Sequence, residues 1–217
     1  MPVSEDNNFI YFTLALIALL LVSAVVDSVP GSGDLMLVEG IIIITEIVAF
    51  TSLNFGPRWR RFVATMFVLV ILANSLSRFT EWTLASLFAL AVLLVFFVGV
   101  AWSAAKRVLL PDTVTGNTVV GALAIYLLLG LIWAVLYLMT LEFFPQAFNG
   151  IEYQHWSDNM SDAIYYSYIT MTSVGYGEIT PAVTLSRTLA YMQSVTGTFY
   201  LAVVVATLVG ARVRRSP

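Results

Sequence analysis

The chain has 217 residues, 59% of them hydrophobic and 11% charged, with a mean hydropathy of +0.90 and a formal net charge of −3. A soluble domain carries about 25% charged residues, so this composition excludes a soluble enzyme, leaves nucleic acid out as a partner, and assigns the chain to a lipid bilayer. Cysteine is absent and His155 is the single histidine, which removes disulfides, thiol nucleophiles, thiolate metal sites and histidine-rich metal sites from consideration.

Residues 1–8 are polar and lack the basic start and cleavage pattern of a secretory signal. The apolar run from Phe9 to Val26 is therefore predicted as a retained membrane helix, since about 20 residues cross a hydrocarbon layer roughly 30 Å thick. Turn residues Ser28 to Gly33 end it. A second run, 35–53, leads to the basic loop 54–61, and a third, 62–77, ends at Arg78. The fourth, Trp82 to Trp102, has tryptophan at both ends, as interfacial aromatic belts favour. Residues 103–116 include Lys106, Arg107, Pro111 and Asp112 and are too polar for lipid. A fifth run, 117–141, precedes a polar, aromatic stretch, 142–159. Met160 to Thr172 is too short to cross and has the length of a re-entrant helix, with Asp158 or Ser161 as candidate N-cap. A sixth crossing is predicted over 185–210.

Charge orients this pattern. With the N-terminus inside, Arg58, Arg60, Arg61, Lys106, Arg107, Arg212, Arg214 and Arg215 all fall on the cytoplasmic side, and only Arg78 and Arg187 fall outside, which satisfies the positive-inside rule. The same orientation brings the segment after the re-entrant helix, Thr172-Ser173-Val174-Gly175-Tyr176-Gly177-Glu178, to the outer face. Gly175 and Gly177 can adopt positive φ at little cost. Successive carbonyls can then face one axis and replace the hydration shell of a cation, while Val174 and Tyr176 wedge outward.

That segment resembles the selectivity filter of potassium channels, whose signature TVGYG has a second Thr before it and an acid after it. Ser173 stands where the family has its last Thr. The resemblance implies a homotetramer in which potassium, the permeant ion, is held by the carbonyls of Ser173, Val174, Gly175 and Tyr176. The Ser173 hydroxyl would complete the innermost site, with Thr172 and Gly177 flanking the stack. Tyr165 and Tyr166 stand where many members carry filter-bracing aromatics, with ordinary packing as the alternative. Glu178 matches the family's acid and would fix the filter or gather cations at its mouth. Ile169 replaces the pore-helix acid of some members, so no carboxylate pair behind the filter is expected.

Other residues carry weaker signals. Gly197 occupies the place of a hinge glycine in the inner helix, or serves close helix packing; Val204 and Leu208 are candidates for a hydrophobic constriction. Glu142, Glu152, Asp158, Asp162 and Glu178 would line an electronegative vestibule or simply solvate a loop. Glu39 and Glu46 are intramembrane acids, functional by default or hydrogen-bonded within the bundle. His155 is read as a surface or packing residue.

The expected fold is all-α and transmembrane, with six crossings. It comprises a four-helix bundle over 1–102, a cytoplasmic linker over 103–116, and a pore domain over 117–217 made of outer helix, pore helix, filter, inner helix and short basic tail. Between Glu81 and Lys106 there is no Arg or Lys, so a voltage sensor, which needs several such charges in its helix, is not predicted. The short tail leaves no room for a soluble ligand-binding domain. The expected function is a potassium-selective channel in a bacterial inner membrane with both termini cytoplasmic. A poorly selective cation channel and a non-conducting sensor or regulatory subunit are the alternatives; an enzyme is not expected, because no catalytic signature is present.

Overall fold

A computed structural model describes residues 8–28, 59, 61–66, 68–69, 72, 83–108 and 115–213, with backbone alone for 22–28, 205 and 208–213. Glu39, Glu46 and most of the second and third apolar runs lie outside the described residues, as does the side chain of Leu208. The described chain is almost entirely helical. Helix α1 is Asn8–Ser28, α2 is Thr83–Val108, α3 is Gly116–Phe143, α4 is Met160–Met171 and α5 is Thr184–Val213. The only strands among the described residues are β1, Phe148–Asn149, and β2, Thr180–Pro181, which pair antiparallel with Phe148 opposite Pro181 and Asn149 opposite Thr180.

Length and apolarity explain the long helices. At 1.5 Å per residue, the 26 residues of α2 and the 28 of α3 are long and apolar enough to cross a bilayer. The fourth apolar run ends at Trp102, but α2 continues to Val108. Lys106 and Arg107 occupy its last turn, where cations complement the negative end of the helix dipole; the Lys106 ammonium lies 5.2 Å from the Trp102 ring centroid. The polar residues here extend the helix and do not end it. Helix α3 starts with a capping box: the Thr118 amide donates to the Thr115 hydroxyl at 3.3 Å, and the Thr115 amide to the Thr118 hydroxyl at 3.1 Å.

Helix α3 is the hub, packed against α1, α2, α4 and α5. The starts of α1 and α3 lie side by side, with the Asn117 amide donating to the Asn8 carboxamide oxygen at 2.9 Å and the Phe9 N–H to Asn117 Oδ1 at 3.2 Å. Helices α1 and α3 therefore start at the same level. The end of α2 reaches the same level, where Val108 meets Gly121. Helix α5 runs antiparallel to α3, its Tyr200 hydroxyl donating to the Ala122 carbonyl at 2.6 Å. The basic ends of α2 and α5 are thus gathered at one end, and the β1–β2 ribbon closes the other.

Lipid tails are as apolar as leucine, so close packing and interhelical hydrogen bonds must hold such helices together. Two glycines of α3 show how close the approach is. A Cβ at Gly121 would lie 2.6 Å from Val108 and 3.0 Å from Phe9, and one at Gly130 would lie 2.4 Å from the Tyr168 ring. That ring is fixed by its hydroxyl, which donates to the Leu127 carbonyl at 2.6 Å. Gly130→Val is expected to lower the thermal unfolding midpoint in detergent, followed by circular dichroism, through an overpacking cost of about 1–3 kcal/mol. Combining it with Tyr168→Ala, which empties the space, should make the second substitution less costly than it is alone; strictly additive losses would show that the two residues do not compete for one volume.

Candidate functional site

The site is the turn from α4 into the segment 172–178. Helix α4 is expected over 160–172 and observed as Met160–Met171. Neither Asp158 nor Ser161 caps it: the N-cap is Asn159, whose side chain donates instead to the Glu152 carbonyl at 2.9 Å. Asp162 in the first turn offers the negative charge that this end of a helix favours.

At its C-terminal end, α4 hands its carbonyls to the segment that follows. The Thr172 N–H donates to the Tyr168 carbonyl at 3.0 Å and the Ser173 N–H to Thr170 at 3.1 Å. The Val174 and Gly175 N–H groups both donate to the Ile169 carbonyl, at 2.9 and 3.2 Å. In a planar trans peptide the carbonyl opposes the following N–H, and no described peptide bond is cis. The Thr172, Ser173 and Val174 carbonyls are therefore directed away from α4. Among the described residues, no donor reaches the carbonyls of residues 172–177.

Backbone handedness produces this arrangement. Ser173, Gly175 and Gly177 have φ of 60°, 53° and 98°, while Val174 and Tyr176 between them have negative φ. Alternation at every second residue collects the N–H groups on one side and the carbonyls on the other. Ser173 is the sole non-glycine residue at positive φ among those described, in a region where a β-branched residue is a genuine outlier. Serine, which lacks the γ-methyl of threonine, suits the position. Val174 and Tyr176 are 51% and 74% exposed, and a Cβ at Gly175 or Gly177 would meet nothing within 4 Å. The segment thus presents bare carbonyls and two large apolar side chains to a space this chain does not fill.

The expected supports divide into different tasks. The Tyr165 hydroxyl donates to the Glu178 carboxylate, tying α4 to the exit of the segment. Tyr166 is buried, packed edge-on against Tyr137 and Phe148 with ring centroids 4.9 and 5.1 Å away. The Thr172 hydroxyl turns back to the Tyr168 carbonyl at 2.7 Å. Behind the exit, the Asn149 side chain donates to the Thr180 hydroxyl at 3.1 Å, and the Ala182 N–H to the Ala147 carbonyl at 2.8 Å. Gly150, at φ 85°, leaves room for the Glu178 carbonyl, which a Cβ there would approach to 2.2 Å. This ribbon holds the outer end of the segment and is too short to leave a periodic trace in the sequence.

Other candidates lie elsewhere. Glu142 is buried and accepts from the Tyr153 hydroxyl at 3.2 Å, so it does not line an outer vestibule within this chain. Burial first, then the neighbouring Glu142 charge, push the Tyr153 hydroxyl above its usual range, which keeps it a donor. His155 shares a hydrogen bond of 2.8 Å with Ser157 and packs near Trp156, as a loop-packing residue. Val204 is buried in the core, whereas Val195, Phe199, Leu201 and Val203 are exposed along α5. A buried polar chain missed by the sequence reading links Tyr137, Ser167 and Gln193 across three helices.

Gly197 lies against the end of α4: a Cβ there would come within 2.6 Å of both the Met171 side chain and the Met171 carbonyl. Because Met171 immediately precedes the segment, Gly197→Ala is expected to lower the unfolding midpoint in detergent by about 1–3 kcal/mol in stability. A glycine serving as a hinge alone would leave that midpoint unchanged.

The described residues contain no group of acids or histidines suited to hold a metal ion. Neither a curated protein nor a solved structure matches this chain. Residues 121–213, which take in α3 from Gly121, α4, the segment 172–178 and α5, match a family described as ion channel. With the two apolar helices of spanning length, that match supports an ion channel embedded in a membrane.

Proposed function

We propose that the chain is the subunit of a homotetrameric potassium channel whose selectivity filter is Thr172–Gly177. The observation that carries this reading is the alternating handedness at 173, 175 and 177, with the N–H groups of Val174 and Gly175 turned onto Ile169. A row of outward carbonyls can replace the hydration shell of a potassium ion. One row cannot surround an ion, and bare backbone at membrane depth is tolerated only where protein or a water-filled path covers it. Further copies of the chain supply both the remaining oxygens and the cover for Val174 and Tyr176, and the resemblance of the TSVGYG segment implies four. The potassium ion is the transported species. It is held at Ser173, Val174, Gly175 and Tyr176, with the Tyr165–Glu178 bond bracing the outer end.

The C-terminus of α4 supports the same reading, since its dipole places partial negative charge just inside the filter. The gathering of Lys106 and Arg107 at the end opposite the β1–β2 ribbon is what the positive-inside rule demands if that end is cytoplasmic. Helix α2 has no basic residue before Lys106, so opening is not conventionally voltage-driven.

Purified full-length protein in liposomes is expected to give a potassium flux that valinomycin does not greatly exceed, with reversal potentials in mixed potassium and sodium near the potassium equilibrium. Equal permeation of the two ions would favour a poorly selective cation channel, and no flux a sensor or regulatory subunit. Gly175→Ala and Gly177→Ala should abolish selective flux, because an alanine at positive φ costs about 1 kcal/mol or more, repeated in every subunit.

Ser173→Thr forces a β-branched residue to φ 60°. It should reduce potassium conductance, whereas Ser173→Gly should keep the backbone and lose the hydroxyl. Wild-type conductance and ion binding in Ser173→Thr would show that the left-handed backbone at 173 does not constrain the site.

A further inference from the structure

Helix α5 contains a single carboxamide, Gln193, in an otherwise apolar or hydroxyl-bearing stretch. It is fully buried, as is Ser167 on the pore helix, and Tyr137 on α3 is nearly so. The Tyr137 hydroxyl donates to Gln193 Oε1 at 2.5 Å. Gln193 Nε2 donates to the Ser167 carbonyl at 2.9 Å and to the Ser167 hydroxyl at 2.7 Å. That hydroxyl passes its own hydrogen to the Gly130 carbonyl at 2.7 Å. Both amide hydrogens and the amide oxygen of Gln193 are thereby used, and its orientation is fixed, because a flipped amide would set oxygen against the Ser167 carbonyl.

This network lies at the base of a seam along which α5 meets the pore helix. Gln193 meets Ser167; the Ser194 hydroxyl donates to the Thr170 carbonyl at 3.4 Å; and Gly197 abuts Met171. The contacts advance in step along both helices, and the last falls immediately before Thr172. Two residues beyond Ser167 is Ile169, the acceptor for the Val174 and Gly175 N–H groups. Ile169 occupies the place where some potassium channels carry a pore-helix acid, so the support supplied there by a carboxylate must come from elsewhere. Gln193 is a neutral, fully satisfied polar anchor one helix further back.

We propose that Gln193 is a positioning residue for the filter. By binding Ser167 it sets the height and rotation of the pore-helix end, and through the Ile169 carbonyl it sets the direction in which the filter carbonyls face. This rests on reading Thr172–Gly177 as a potassium filter. Packing alone does not require an amide here, since methionine would fill nearly the same volume. The role also explains why three fully or nearly buried polar side chains from three helices converge within lipid depth, where each must find its partner inside the protein.

The test uses full-length channels reconstituted in planar bilayers, with the potassium-to-sodium permeability ratio read from reversal potentials. Gln193→Met keeps the volume and removes all three hydrogen bonds. Gln193→Glu keeps an acceptor for Tyr137, and in its acid form also a donor toward the Ser167 carbonyl. The ratio is expected to fall about tenfold in Gln193→Met and to stay near the wild-type value in Gln193→Glu. If Gln193→Met does not assemble, Ser167→Ala, which removes one hydroxyl, must lower the ratio in its place. A wild-type ratio in Gln193→Met, or an equal loss in both Gln193 variants, overturns the positioning role while leaving the filter reading intact. Wild-type channels that do not prefer potassium overturn both.

Discussion

The outer half of this chain depends on the Ile169 carbonyl. A helix of twelve residues ends at Met171, and the residues after it must satisfy their N–H groups without continuing it. Ile169 accepts from both Val174 and Gly175, folding the next strand back on the end that produced it. Left-handed backbone at every second position is the geometrical condition for that double acceptance. The opposed carbonyls are then the residue of the bargain, free to face something other than this chain. The function of the segment is in this sense a by-product of how its amides are satisfied.

The surrounding helices hold that geometry without the hydrophobic effect that would drive a soluble core. Their cohesion comes from proximity and from polar bonds buried between helices. Gly130 admits the Tyr168 ring and Gly197 admits the Met171 backbone. The rings of Tyr137, Phe148 and Tyr166 form a mutual edge-on cluster, with Tyr137 and Phe148 centroids 5.4 Å apart. Tyr137 belongs both to this cluster and to the hydrogen-bond chain through Gln193, so α3, α4 and α5 are joined by one residue through two kinds of force. Helix α1 also touches α4, which places the N-terminal helix next to the helix that leads into the segment 172–178.

Much of this was legible in the sequence because it depends on local chemistry. The glycine spacing in TSVGYGE dictates where positive φ can occur, and the apolar run lengths separate spanning helices from the short one. The positive φ at Ser173 was not legible, since serine gives no conformational warning. Nor was the inward turn of Glu142, which is set by Tyr153, or the burial of Val204, which depends on the rotation of α5 against its neighbours. The apolar run to Trp102 gives no sign that the helix continues to Val108, because composition marks polarity and not backbone conformation. Ser167 and Gln193 each pass as one polar residue in an apolar run; that they are partners is a fact of tertiary structure, although a lone carboxamide at lipid depth was itself a signal. The ribbon escaped notice because two paired residues have no period.

That ribbon has a topological consequence. Asn149 and Thr180, 31 residues apart in the chain, are joined by their side chains, so the pore helix and the segment after it form a loop closed at its neck. Closing a loop of that length costs only slowly growing entropy as residues are added, and here the neck meets the cost outside the membrane-spanning helices. Additions between residues 150 and 159 therefore lengthen the loop without moving its base. The segment between the two strands is a cassette: its interior register is set by its own neck, and the turn before α4 can vary while that neck stays fixed.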